Sequence, residues 1–154
     1  MRSLLDELGF YTLAGGAPDP RAMLDELRGA EAMGLGTAFI SERFNVKEAC
    51  TLSGAAGAAT DRIRIATAAT NHNTRHPIVT ASYATTMHRL TGGRFSLGLG
   101  RGIEPMFKAF GLPTITTAQM EDFVGLMRRA TVGASGRRSP RVVRSSPAPG
   151  RGRR

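Results

Sequence analysis

Along the first 130 residues, short apolar runs alternate with stretches in which apolar residues recur every three or four positions. The runs predict buried strands, and the three-to-four spacing predicts helices that bury one face. Strand and helix alternate four times, which predicts an α/β fold with parallel strands joined by helical crossovers. The pattern fits either an open doubly wound sheet or part of a (β/α)8 barrel. The predicted strands are 8–13, 37–40, 63–69 and 95–99.

Local signals predict the ends and buried faces of the helices. Asp19 and Pro20 suit a helix start, and Gly34 suits a left-handed stop. A second helix, over 46–59, is rich in Ala and Gly, which permits close packing. Its predicted inner side is Val46, Ala49, Cys50 and Ala56.

Two further helices follow the third and fourth strands. Pro77 suits the first turn of one of them, and Gly92 and Gly93 end it. Its predicted buried face is Val79, Tyr83, Met87 and Leu90. Thr116 and Gln119 have the spacing of a capping box, which predicts that the last helix begins there. The apolar stripe of that helix is Met120, Phe123, Val124 and Met127.

Composition narrows the class of protein. No stretch approaches the roughly 18 consecutive apolar residues that a membrane helix needs. Acidic residues stand near the start, where a signal peptide would keep an apolar segment, so we expect a cytoplasmic protein. The single cysteine, Cys50, excludes an internal disulfide and is expected to be buried and inert.

The net charge of +9 comes entirely from the end of the chain. Residues 1–127 hold twelve basic and twelve acidic side chains, and the nine remaining arginines follow them. Of residues 131–154, eighteen are Arg, Gly, Ser or Pro, a composition that cannot bury enough apolar surface to fold. We therefore expect a domain over 1–130 and a disordered tail over 131–154. Nucleic-acid or acidic-partner binding through this tail is the alternative function, disfavoured by the neutral body and the lack of tail aromatics.

Candidate chemistry lies after the strands, because ligands in parallel α/β folds bind at the carboxyl ends of strands. Glu42 and Arg43 follow an apolar strand directly and form a charged pair that faces either a polar ligand or the start of the next helix. The glycines of 98–102 allow a backbone to approach an anion, or simply form a tight turn. His72 and His76 stand four apart, but Pro77 disfavours helix at its predecessor, so we expect no metal site.

Five segments of the chain carry a recognisable pattern: Ser41-Glu-Arg-Phe-Asn-Val-Lys-Glu-Ala49, Ile65-Ala-Thr-Ala-Ala-Thr70, Arg75-His-Pro77, Thr85-Thr-Met-His-Arg-Leu90 and Gly92-Gly-Arg-Phe-Ser-Leu-Gly-Leu-Gly-Arg-Gly102. The most specific part is Gly-Arg-Phe-x-Leu-Gly-x-Gly. Together these segments resemble one known family, the luciferase-like monooxygenases, and within it the branch that uses the deazaflavin coenzyme F-420. The resemblance runs from about residue 5 to 129.

The resemblance implies a (β/α)8 barrel that binds F-420, or FMN as the alternative, for hydride transfer to or from a small molecule. A bulge after strand three would support the coenzyme ring, with a cis peptide expected at Thr67–Ala68. Thr70 would lie near the ring edge. The segment beside the coenzyme side chain and phosphate would be Gly100, Arg101 and Gly102.

The resemblance also implies a catalytic acid. Glu42 matches the acid of an acid–histidine pair after strand two, whereas Arg43 replaces the histidine. Arginine stays charged at neutral pH, so Arg43 would stabilise an anion and not transfer protons. One branch member has a glutamate proton donor after strand four, where this chain has Ile103 followed by Glu104. The proton donor is therefore left unassigned.

A full barrel needs about 200–250 residues, and this sequence supplies only four βα units. We interpret the abrupt change to Arg, Gly, Pro and Ser as a truncated or frameshifted gene product, which would leave the enzyme inactive or incomplete. Half a barrel leaves strand edges unpaired, so we expect self-association. Two copies that complete one site are a further possibility.

Overall fold

The computed structural model describes residues 4–14 and 18–132. A single 3₁₀ turn, Leu4–Glu7, precedes the first strand. The strands are β1 (Gly9–Tyr11), β2 (Thr37–Ile40), β3 (Arg64–Thr67), β4 (Thr70–Asn71), β5 (Phe95–Ser96) and β6 (Leu99–Gly100). The helices are α1 (Ala22–Met33), α2 (Ala49–Ala59), α3 (Pro77–Leu90), α4 (Glu104–Ala109) and α5 (Thr117–Val132).

The order of the strands decides between the two architectures that the sequence left open. The main sheet runs β1-β2-β3-β5, every pair is parallel, and Thr37 pairs with both Gly9 and Arg64. Each βα unit therefore adds its strand beside the previous one, as in a (β/α)8 barrel, whereas a doubly wound sheet reverses its order at a switch point. The fold is α/β, with four βα units in barrel order.

The third and fourth predicted strands are each interrupted, and the interruption shapes the site. β3 stops at Thr67, and the ladder resumes where β4 pairs with β6. The Thr67 hydroxyl donates to the carbonyl of Gly98 (2.8 Å) and accepts from its N–H (2.7 Å). Thr67 is thereby tied to the neighbouring strand while Ala68 and Ala69 form a bulge.

A cis peptide is present in this bulge, but one bond later than expected. It joins Ala68 to Ala69, so the expectation at Thr67–Ala68 is wrong. The Ala68 N–H still donates to the Ile40 carbonyl at 2.7 Å, which keeps the Thr67–Ala68 peptide in the regular parallel ladder. The chain leaves the ladder only after Ala68.

The hydrophobic core lies between the main sheet and helices α1 to α3, and two predicted faces need correction. Val46 is exposed because α2 begins three residues later, at Ala49. Val79 and Leu90 are also exposed, because α3 buries a face shifted by one residue: Thr80, Ala81, Ala84 and Met87. This face is mostly small, which lets α2 approach. A Cβ added at Gly57 would lie 2.9 Å from the Thr91 methyl group.

The helix ends follow local signals in most places. Gly34 ends α1 in the left-handed conformation (φ 81°), as expected, but α1 begins at Ala22 and not at Pro20. Thr116 and Gln119 form the predicted reciprocal cap of α5. Thr131 and Val132 belong to α5, so the disorder predicted for these first two residues of the tail is wrong. The rest of that tail lies outside the described residues.

Arg94, the arginine of the Gly-Arg-Phe motif, binds several backbone segments together. The Arg94 guanidinium donates to the carbonyls of Gly57, Thr60 and Ile63, and its Nε donates to that of Thr91. The first two carbonyls end α2, where a cation is stabilised by the helix dipole. Arg94 precedes β5 and Ile63 precedes β3, so this cluster lies at the amino ends of the strands.

Glu31 joins the end of α1 to the segment before β3, and its loss is expected to destabilise the fold. Its carboxylate accepts from the backbone N–H groups of Asp61 and Ile63 at 3.1 and 2.9 Å, and from that of Arg62. Burial alone would raise the pKa of Glu31, but these hydrogen bonds lower it below 4.5. Its stabilising effect is therefore complete above about pH 5 and lost as the pH falls through the lowered value.

Glu31→Ala should reduce the free energy of urea unfolding by about 1–2 kcal/mol at pH 7, because three N–H groups lose their acceptor. The deficit should shrink at pH 3, where the wild-type carboxylate takes up a proton. Glu121→Ala, on the exposed surface of α5, serves as the control and should change stability by less than about 0.5 kcal/mol. An equal deficit at both pH values would contradict the role given to the charge.

Candidate functional site

A cleft of about 570 Å³ opens at the carboxyl ends of the strands. Small-molecule sites occupy clefts of this size, and in barrels they form at this end of the strands. Tyr11 of β1 and the segment 41–44 after β2 line one part. The remaining lining residues are Ala68, Ala69, Asn71, Gly100, Gly102, Ile103 and Met106.

Five of the eight predicted site residues line this cleft together: Glu42, Arg43, Ala68, Gly100 and Gly102. The loops after β2, β3 and β6 therefore open onto the same space. The other three predicted residues do not line it. Thr67 and Thr70 are buried and bonded to neighbouring strands or side chains, and Arg101 is exposed, with its guanidinium 3.3 Å from the Thr117 hydroxyl.

Glu42 is paired with an arginine that was not predicted as part of the site. Arg75 Nη2 lies 2.8 Å from Glu42 Oε1, and Arg75 Nη1 lies 3.2 Å from Oε2. The two side chains are only 15% and 7% exposed, so this is a nearly buried, two-point ion pair. Thr70 donates its hydroxyl to Glu42 and accepts from Arg75 at 2.9 Å, which explains why Thr70 does not reach the cleft.

Glu48 extends this pair into a cluster of two carboxylates and one guanidinium. It caps α2 by accepting from the N–H groups of Cys50 and Thr51, and it forms an ion pair with Arg75. Burial would raise the pKa of Glu48, but the hydrogen bond from Thr51, the other backbone bond and the charge of Arg75 lower it to about 2. Glu48 is therefore ionised at neutral pH.

Lys47 fixes the segment that follows β1. Its ammonium is buried, donates to the Leu13 carbonyl at 2.8 Å and lies 4.7 Å from the centre of the Tyr11 ring. Glu26 holds the same segment as well, since the Leu13 N–H donates to it at 2.9 Å. The loop after β1 is thus tied down at two points, and Tyr11 is positioned at the cleft.

The aromatic residues beside α4 anchor the remaining part of the cleft. The ring of Phe44 lies 5.7 Å from that of Phe107 and 5.4 Å from that of Phe110. Gly102 has a left-handed φ of 78°, and a Cβ there would lie 2.1 Å from the Phe107 ring. Gly102 is therefore required both for its backbone conformation and for the contact with α4.

The histidines and the cysteine have packing or capping positions. His72 stacks on Phe123 at 4.4 Å between ring centres, and burial lowers its pKa. His76 caps α3 by accepting from the Ile78 N–H at 3.3 Å. Cys50 is half-buried, less than expected, and burial raises its pKa to about 12. Its thiol is therefore protonated at neutral pH, which fits the expected lack of reactivity.

No helix in the described part of the chain has the length and apolar character that crossing a membrane requires.

Known proteins match this chain both in sequence and in fold. It is 32% identical over 111 residues to 5,10-methylenetetrahydromethanopterin reductase of Methanopyrus kandleri, a match covering 69% of this chain and 32% of that protein. The chain thus spans about a third of the length of the curated relatives it matches.

Two solved structures illustrate the likeness in fold. The coenzyme F-420 dependent tetrahydromethanopterin reductase of Methanopyrus kandleri has a TM-score of 0.66 at 22% identity, over 82% of this chain and 38% of that one. The oxygenating constituent of 3,6-diketocamphane monooxygenase of Pseudomonas putida, in complex with FMN, has a TM-score of 0.62 at 22% identity, over 78% and 38%. The sequence profile of luciferase-like monooxygenases matches residues 4–153, and the chain belongs to that family.

Proposed function

We propose that the cleft binds the ring of a deazaflavin coenzyme, F-420, with FMN as the alternative, in an oxidoreductase that acts on a small molecule. One observation carries this proposal: the loops after β2, β3 and β6 open onto one cleft, with the Ala68–Ala69 bulge among its lining. Relatives whose names include F-420 or FMN support it. Because the chain spans about a third of its curated relatives, turnover by the whole enzyme is part of the proposal.

The residues of the cleft divide into a support for the ring and groups that orient the ligands. Ala68 is exposed and small, so a flat ring can contact the backbone of the bulge. Gly100 lies directly beside the bulge, since a Cβ there would be 3.1 Å from that of Ala69. Glu42, held by Arg75, supplies a fixed hydrogen-bond acceptor, and Arg43 supplies positive charge. The chemistry that the bound coenzyme brings is hydride transfer.

Titration of the full chain with F-420 and with FMN, followed by ring absorbance, tests the proposal. Ala68→Leu should weaken coenzyme binding by about tenfold or more, because the added side chain occupies the support for the ring. The matched control is Ala58→Leu, at an exposed position of α2 away from the cleft, which should bind as the wild type does. Failure of both coenzymes to bind, or unchanged binding by Ala68→Leu, would refute the proposal.

A further inference from the structure

The cleft has an uncharged side that the coenzyme proposal does not use. Phe44, Ile103 and Met106 line the cleft, and we call these three residues the apolar wall. Ile103 is 62% exposed, so a large aliphatic side chain that lines the cleft also faces solvent. A ligand that covers apolar area exposed in this way binds favourably, because that area is removed from water.

The apolar wall is held in a fixed position. Phe107 is buried and packs against both Phe44 and the backbone at Gly102, so it joins the loop after β2 to α4. Ile103 and Met106 lie at the start of α4 and are carried by this anchor. A preformed apolar surface loses little entropy when a ligand binds to it.

The same cleft also offers polar groups that can bind a polar part of the ligand. Glu42 and Asn71 line the cleft and offer a carboxylate and an amide. We propose that the apolar wall selects an uncharged, largely apolar substrate, whose polar reacting group lies toward Glu42 and Asn71. This inference rests on the proposed function, because it places the substrate beside the bound coenzyme.

The test uses the full chain, with and without bound coenzyme, and two fluorescent probes that share one ring system. The neutral probe is 2-naphthol and the charged probe is naphthalene-2-sulfonate. We expect 2-naphthol to bind at least about tenfold more tightly than the sulfonate, because the polar group of the probe lies toward the Glu42 carboxylate, which accepts a hydrogen bond from a hydroxyl and repels a sulfonate. Tighter binding of the sulfonate would place the probe at Arg43, which also lines the cleft, and would overturn the inference. Ile103→Asn should weaken 2-naphthol binding about tenfold, whereas Ile103→Leu should change it by less than about twofold.

Leu90→Asn provides the matched control, because Leu90 is similarly exposed but lies at the end of α3, away from the cleft. It should leave 2-naphthol binding unchanged. Equal binding of the two probes, or unchanged 2-naphthol binding by Ile103→Asn, would overturn the inference. If neither coenzyme binds while 2-naphthol binding still depends on Ile103, the wall is supported and the coenzyme proposal alone fails.

Discussion

Replacing Gly98 with alanine is expected to destabilise the chain by about 3 kcal/mol, the upper range for overpacking. An ideal Cβ at this position would lie 1.9 Å from the carbonyl oxygen of Thr67 and 3.1 Å from its carbonyl carbon. These are backbone atoms, so no side-chain rotation relieves the clash. The two hydrogen bonds between Thr67 and Gly98 would lengthen, and the Ala68–Ala69 bulge would lose its anchor. Urea unfolding measures the loss directly.

Gly29→Ala is the matched control for this substitution. Gly29 lies within α1, and a Cβ added there meets no atom within 4 Å. The same chemical change should therefore stabilise the chain by about 0.5–1 kcal/mol through helix propensity. Opposite signs for the two variants would support the described contact, whereas a Gly98→Ala chain as stable as the wild type would exclude it.

The residue pattern did not predict the interruption of β3 by the Ala68–Ala69 bulge. The run 63–69 is apolar apart from Arg64 and Thr67, which predicts one continuous strand. Its interruption depends on Gly98, which lies 31 residues after Thr67 and contacts it only in the folded chain. Local residue pattern carries no information on such a contact. The strand at 37–40, which has regular neighbours on both sides, was predicted with correct ends.

The site was predicted as far as strand ends could indicate it. Glu42 and Gly100 follow apolar runs, and the rule that ligands bind at carboxyl ends of strands was enough to select them. Ala68 lies inside the predicted strand 63–69, so only the family resemblance indicated it. Arg75 follows Glu42 by 33 residues, and its only signal was its place in the Arg-His-Pro segment. Met106 lies in α4, a helix of six residues, which is too short to show a helical period.

The unpaired edges expected of a partial barrel are present among the described residues. β1 pairs only with β2, and β5 pairs only with β3, so each leaves one side without a neighbouring strand. Exposed strand edges promote association with another strand. Self-association of this chain stays a prediction.

Arg75→Met is expected to reduce the free energy of unfolding by about 3 kcal/mol, because it leaves the nearly buried Glu42 without its cation. The Thr70 hydroxyl would remain as a donor to Glu42, but a hydroxyl does not neutralise a carboxylate. Glu42→Gln with Arg75→Met should recover about 2 kcal/mol, since the double variant no longer buries an unpaired charge. Urea unfolding of the two single variants and the double variant gives the coupling free energy.

Arg28→Met is the matched control, because it measures what the removal of an exposed arginine costs. Arg28 forms an exposed ion pair with Asp25, with side chains 62% and 88% exposed, so its removal should cost less than about 0.5 kcal/mol. If Arg75→Met reduced the free energy of unfolding by no more than Arg28→Met, solvation and not Arg75 would stabilise the Glu42 carboxylate. The carboxylate would then be free to change its orientation, and it could not serve as the fixed acceptor at the cleft.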